Sequence, residues 1–174
     1  MAYVEFDSVL SKLIEDLETG YVLFLALESR TNNYPYYQWS VKATDDNAGF
    51  DLISTEHWSG ALGEPAHLLN LGVRAMLVDI ETRAPSHFWL LPRSSIYKTG
   101  HMMANSVGVI DSTYRGVLKA PVVATMKDGE GFLEGQRYFQ IVAPNMGKIH
   151  YVRQISELPA TDRGEGGFGS TGTS

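Results

Sequence analysis

An all-β barrel or distorted jelly roll, entered through one short helix and followed by a flexible glycine-rich tail, is the fold this sequence predicts. Three observations carry that expectation. After Gly20 the apolar residues come in short runs rich in aromatic and β-branched side chains, separated by Gly, Pro, Asn and Asp. Closely spaced strands punctuated in this way are the pattern of a β-barrel or jelly roll. A helical period appears once, near the N-terminus, and five of the last twelve residues are glycine. The tail therefore has too little apolar surface to build a packed element.

In chain order, residues 8–18 read as the helix. Val9, Leu10, Leu13, Ile14 and Leu17 fall on one face at helical spacing. Asp7 or Ser8 can cap the start and Gly20 sits where a helix commonly stops, although Glu15, Asp16 and Glu18 oppose the dipole at that end. Strands are expected over residues 21–27, 36–41, 68–75, 88–91, 116–125 and 137–142. The chain then divides into a helical extension (residues 1–20), a β domain (21–160) and a tail (161–174). It carries no internal repeat and no interdomain linker.

A length of 174 residues suits one domain with a real core. The formal net charge of −6 excludes general affinity for polynucleotides, which needs a basic footprint, but a single nucleotide can still bind where a few arginines converge. Cysteine is absent, which excludes disulfides and thiolate metal sites. The start lacks the basic region of a secretory signal, and the longest apolar run, residues 21–27, is too short to span a bilayer. These features predict a soluble intracellular protein, cytoplasmic or nuclear, without a membrane partner. His57, His67, His87, His101 and His150 are scattered without metal-ligand spacing. Trp39, Trp58 and Trp89 read as packing residues. No Walker-type loop is present, so phosphate binding is not expected from a helix N-terminus.

Two stretches have the chemistry of a ligand site. In the tail, glycines free the backbone to approach a ligand. The amides and the hydroxyls of Ser170 and Thr171 can surround an anion, and Arg163 adds a planar cation suited to phosphate. Phe168, beside Gly169, has no core to enter, and a flat ligand surface is its natural partner. Together they suggest a lid over a nucleotide. The second stretch, residues 105–116, reads as a hairpin arm from Val107 to Ile110, followed by Asp111 at its tip. Its backbone groups can meet the edge of a base, and a carboxylate there can polarise a water beside a phosphate. Taken alone, the same residues also suit a β-turn.

These two stretches, with Ala48-Gly49-Phe50-Asp51-Leu52, Pro92-Arg93-Ser94-Ser95 and Gly135-Gln136-Arg137-Tyr138-Phe139-Gln140, occur in the order found in the trimeric dUTPases, and the chain resembles that family from residue 48 to residue 172. The resemblance implies Mg2+-dependent hydrolysis of dUTP to dUMP and pyrophosphate by in-line attack of water on the α-phosphate. That reaction limits dUTP and supplies dUMP for thymidylate synthesis. It implies Asp111 as the water-activating residue and Asp51 as the carboxylate that holds magnesium through water. It further implies substrate contacts from Arg93, Ser94, Ser95, Asn105, Gly108, Ile110, Gln140, Arg163, Phe168, Gly169, Ser170 and Thr171. Tyr114 would exclude a ribose 2′-hydroxyl, and Arg137 would help to seat the tail. Family members are homotrimers whose sites are shared between subunits.

Three departures from the family pattern stand out. Ser95 replaces a usual glycine, Gln136 replaces a usual acidic residue, and Tyr138 and Phe139 are larger than usual. Residues 1–20 and 31–37 are additional, and decorating the trimer or engaging a protein partner would both suit them. Two other readings follow from the same segments. A dCTP deaminase shares the fold and the Arg-Ser-Ser run, but Pro121 stands where that family has its glutamate. A dUTP-responsive binding module would use the N-terminal extension to hold a protein.

Overall fold

A computed structural model describes residues 2–167. One α-helix, α1 (Ala2–Leu13), precedes the strands β1 (Tyr21–Leu27), β2 (Val41–Ala43), β3 (Gly49–Ile53), β4 (His67–Asn70), β5 (Val73–Asp79) and β6 (Pro85–Ser86). They are followed by β7 (Phe88–Pro92), β8 (His101–Met103), β9 (Gly108–Ile110), β10 (Lys119–Ala124), β11 (Arg137–Val142) and β12 (Ile149–Gln154). Among the described residues the strands form three sheets, ordered β2-β12-β1-β5-β6, β4-β10-β8 and β3-β11-β7-β9. All three contribute to one core, in which Leu23, Leu25, Leu52, Leu69, Leu77, Leu90, Val122, Phe139, Ile141 and Val152 are buried together. The expected all-β fold, a distorted jelly roll, is therefore what the chain adopts.

The unbroken apolar run of β1 follows from burial on both faces. Tyr21, Leu23 and Leu25 enter the main core. Val22, Phe24 and Ala26 point the other way, into a second cluster closed by Leu10 and Ile14 from α1 and its end. The helix is thus a cover for the sheet. It spans Ala2–Leu13, earlier than the expected residues 8–18, and stops before Glu15, Asp16 and Glu18, whose charges disfavour a helix C-terminus. Ile14 and Leu17 still pack as the pattern requires.

Two strand expectations are corrected. Residues 36–41 do not form a strand: Pro35–Tyr37 is a 3-10 helix with Pro35 at its first position, where a fixed φ favours a helical turn. Residues 68–75 are two strands separated at Gly72, whose φ is +64°. A Cβ there would lie 2.1 Å from the Thr31 hydroxyl, which donates to the Gly72 carbonyl at 2.7 Å. Thr31 and Tyr37 are both buried, and the Tyr37 hydroxyl accepts from the Ile53 amide at 3.2 Å. Thr31 and Tyr37 thus anchor residues 31–37 in the core beside β3, while Asn32, Asn33 and Pro35 stay exposed. The strand expected over residues 116–125 narrows to β10, and β12, which pairs in parallel with β1, was not anticipated because polar residues interrupt its apolar pattern.

Candidate active site

The described site residues read from the sequence, Ser95 excepted, gather in two separate clefts. The first lies over β3 and β11. Asp51 and Gln140 are cross-strand partners, so their side chains share a face. Arg137 has the same parity as Phe139, a fully buried core residue, and on simple alternation it would point inward. A register shift between Arg137 and Phe139 re-aims it, a common use of a bulge beside a functional site. Arg137 Nη1 then reaches Asp51 Oδ2 at 3.1 Å, while Arg93 Nε reaches Asp51 Oδ1 at 3.1 Å. Arg93 follows β7 and also donates to the Arg137 carbonyl at 3.2 Å.

Burial of Asp51 raises its pKa above the ordinary carboxylate value, and the neighbouring arginines Arg93 and Arg137 offset this only in part. Gln140 Nε2 donates to the Pro92 carbonyl at 3.3 Å. Its Oε1 lies where a Cβ on Gly49 would come within 2.1 Å, so a side chain there would displace the Gln140 amide. Ser94 and Ser95 open the 3-10 helix Ser94–Thr99, a helical start that the sequence did not reveal; Ser94 lines the cleft. Tyr36 and Lys42 also line it. The Tyr36 hydroxyl donates to the Asp51 carbonyl at 3.1 Å, and its pKa is pushed up to about 12, chiefly by burial and then by Asp51. It remains a neutral donor at working pH.

The second cleft is formed by Asn105, Gly108, Ile110, Asp111, Tyr114 and Arg163, with Leu90 and Leu118 behind them. Gly108, Val109 and Ile110 do not form the arm of a local hairpin. They are β9, an edge strand paired with β7, and an edge leaves backbone donors and acceptors available on its other side. Asp111 follows directly. Its Oδ2 is paired with Arg163 Nη1, and His87 Nδ1 lies 3.8 Å from Oδ1. Arg163 therefore sits in the second cleft on Asp111, away from the anionic site, with its guanidinium 5.7 Å from the centre of the Tyr114 ring. The Tyr114 hydroxyl donates to the Val117 carbonyl at 3.0 Å. Gly116 admits this ring, since a Cβ there would lie 2.4 Å from the hydroxyl. Phe168, Gly169, Ser170 and Thr171 lie outside the described residues.

Arg115 was overlooked by sequence reasoning. Only 7% exposed, it donates to the Pro159, Ser112 and Tyr114 carbonyls, each at 2.8 Å. Its own amide donates to the Gly164 carbonyl at 2.8 Å. Thr161 adds a hydroxyl bond to the Thr113 carbonyl, and Arg74 pairs with Glu165 at 2.8 Å. The loop bearing Asp111 and Tyr114 and the base of the tail are thus one hydrogen-bonded unit. The signal for Arg115 was an arginine directly beside the tyrosine, but its burial is a tertiary property.

The described residues hold no cluster of three or more His, Cys, Asp or Glu suited to a metal. A lone, half-shielded carboxylate fits magnesium, which binds with one or two carboxylates, waters and substrate phosphates. No helix among the described residues is long and apolar enough to cross a membrane.

The fold presents two clefts, one holding Asp51, Arg93 and Arg137 and the other Asp111, Tyr114 and Arg163, residue types that suit a nucleotide ligand. Comparison with known proteins gives the family. A dUTPase family model matches residues 37–172. A deoxyuridine 5'-triphosphate nucleotidohydrolase of Rickettsia rickettsii is 32% identical over 149 residues, covering 84% of this chain and 93% of the relative. One from Streptomyces griseus is 35% identical over 128 residues, covering 72% and 69%. A crystal structure of dUTPase from Streptococcus mutans has a TM-score of 0.52 at 24% identity, covering 75% of this chain and 95% of that one, a likeness of fold. The chain belongs to the dUTPase family of dUTP diphosphatases. The deaminase reading falls with that result, and Pro121 is seen to pair with Leu68 in the sheet.

Proposed function

We propose that the chain hydrolyses dUTP to dUMP and pyrophosphate at a site completed by different copies of itself in a homotrimer. The observation that carries this reading is the division of the site residues between two clefts of one chain that share no lining residue. The nucleoside cleft measures about 170 Å³, below the roughly 300 Å³ at which pockets begin to enclose a drug-sized ligand. In the trimer a neighbouring subunit would extend it.

In this reading the β9 edge and Asn105 meet the base, and Tyr114 lies against the sugar where a 2′-hydroxyl would collide. Asp111 Oδ atoms orient and deprotonate water for in-line attack on the α-phosphorus. The P–O bond to the bridging oxygen breaks, and the pyrophosphate leaves with its charge held by Arg93 and neighbouring donors. Such reactions depend chiefly on positioning and charge stabilisation. Gln140, Ser94 and Ser95 add phosphate contacts. Magnesium would be held by the triphosphate and, through water, by Asp51, and would neutralise charge on the leaving group. Arg163 must leave Asp111 as substrate binds, and Phe168 to Thr171 would then close over the nucleotide with help from Arg137. Free dUTP is an intracellular nucleotide, and we infer a soluble cytoplasmic enzyme.

Turnover of dUTP, UTP and dCTP with magnesium, for the native chain and for Asp111→Asn, tests the reading. Pyrophosphate and dUMP from dUTP alone are expected, with kcat reduced by roughly 10²–10⁴ in the variant, the usual contribution of a positioned base. Tight dUTP binding without turnover would refute hydrolysis and favour a nucleotide-responsive binding protein.

A further inference from the structure

The phosphate cleft contains a cation outside the five segments that carry the family resemblance. Lys42 lies on β2, half-buried, and its Nζ is 4.8 Å from the centre of the Tyr36 ring and 5.7 Å from that of Phe50. The same Tyr36 ring carries Arg137 on it, with the guanidinium carbon at 5.3 Å. Arg93 and Arg137 are both committed to Asp51. Lys42 has no ion pair among the described residues, although its charge acts on Asp51. The remaining acidic group lining the cleft is the exposed Asp45.

Three cations therefore converge on one half-buried carboxylate, and the one without an ion pair lies over two aromatic rings. A lysine with no other need would extend into water, where its ammonium is most strongly hydrated. Seating it over aromatic faces restricts the side chain while leaving its N–H donors available.

We propose that Lys42, positioned by Tyr36, binds the phosphate chain of the substrate and favours the triphosphate over the monophosphate. This rests on the hydrolytic reading given above. The charge that Lys42 neutralises lies on the phosphate chain and grows with its length. Its loss therefore weakens triphosphate binding and spares binding of the nucleoside portion. Residues 31–37, which supply Tyr36, thereby belong to the active site.

The test measures KM for dUTP and inhibition by dUMP in the native chain, Lys42→Met and Lys42→Arg, alongside calorimetric binding of inorganic tripolyphosphate. Lys42→Met should raise KM for dUTP about tenfold with kcat nearly unchanged, the scale of one charge-assisted contact. Inhibition by dUMP should stay within about twofold of native, and Lys42→Arg should restore most of the KM. Tripolyphosphate should bind the native chain more tightly than Lys42→Met, a readout that does not require turnover. An unchanged KM and unchanged tripolyphosphate affinity in Lys42→Met would overturn the proposal. Equal losses for dUTP and dUMP would do the same, because they would reveal a general disturbance of the site. Absence of dUTP turnover by the native chain, with tripolyphosphate binding still dependent on Lys42, would instead count against the hydrolytic reading alone.

Discussion

The proposed phosphate cleft and the proposed nucleoside cleft are built on different kinds of structure. The first rests on β3 and its inner neighbour β11, strands whose opposite faces carry Phe50, Leu52, Phe139 and Ile141 into the main core. The second rests on an edge strand, a turn and the base of the tail, joined largely through Arg115 and backbone carbonyls. The proposed phosphate-binding groups thus sit on paired strands backed by the main core, where donors can be fixed before substrate arrives. The proposed water-activating and sugar-discriminating residues, Asp111 and Tyr114, sit beside the base of the tail, to which Arg115 ties their loop. The pairing of Arg163 with Asp111 ties that segment to the proposed water-activating residue.

This contrast predicts where substitutions will be felt as stability and where as specificity. The largest effect on the fold is expected at Arg115. In Arg115→Met the apolar stem is retained, but the Pro159, Ser112 and Tyr114 carbonyls lose their donor. Leaving buried groups unpaired costs about 3 kcal/mol, or a Tm drop of roughly 6–12 °C for a domain of this size. A Tm within about 2 °C of native would show that the unit is held by other contacts.

Gly116→Ala tests the same cleft at smaller cost. The added methyl collides with Tyr114 and tilts the ring away from the sugar. The preference for dUTP over UTP, measured as a ratio of kcat/KM, should fall about tenfold. Retention of the full preference would remove Tyr114 from the discriminating role.

The smallest change in stability is expected at Asp51. Its folded pKa is raised, so the folded state holds the proton more firmly than the unfolded chain does. The associated stability is present at acidic pH and lost as pH rises through the raised value. Above it, ionised Asp51 is a net burden on the fold. Asp51→Asn should therefore leave Tm at neutral pH unchanged or slightly higher while greatly reducing activity. A clear fall in Tm would mean that the ion pairs with Arg93 and Arg137 outweigh the cost of burial.

Much of the site was legible because its chemistry requires particular residues close together in sequence. Arg93 and Ser94 lie together in one cleft and Gly108, Ile110, Asp111 and Tyr114 in the other, as their closeness in sequence requires. Elements that depend on tertiary context were less visible. Tyr36 and Tyr37 have the aromatic content of a strand, yet Pro35 turns them into a 3-10 helix that props β3. Arg137 reaches Asp51 only because of a register shift, which leaves no compositional mark. Lys42 looks like any strand-edge lysine until Tyr36 and Phe50 are brought beneath it. Tail residues 168–174 carry a strong chemical signal in the sequence and lie outside the described residues.

The central claim is that one chain holds two halves of different active sites, and complementation tests it most directly. Asp51→Asn and Asp111→Asn chains, each nearly inactive, would be co-expressed or refolded together and assayed for dUTP turnover. Where the halves come from different copies, random mixing in equal amounts gives about a quarter of sites an intact Asp51 from one chain and an intact Asp111 from another. Activity should recover to about a quarter of native. If the mixture remains as inactive as its parts despite demonstrated mixed assembly, the two clefts do not complete one another across chains.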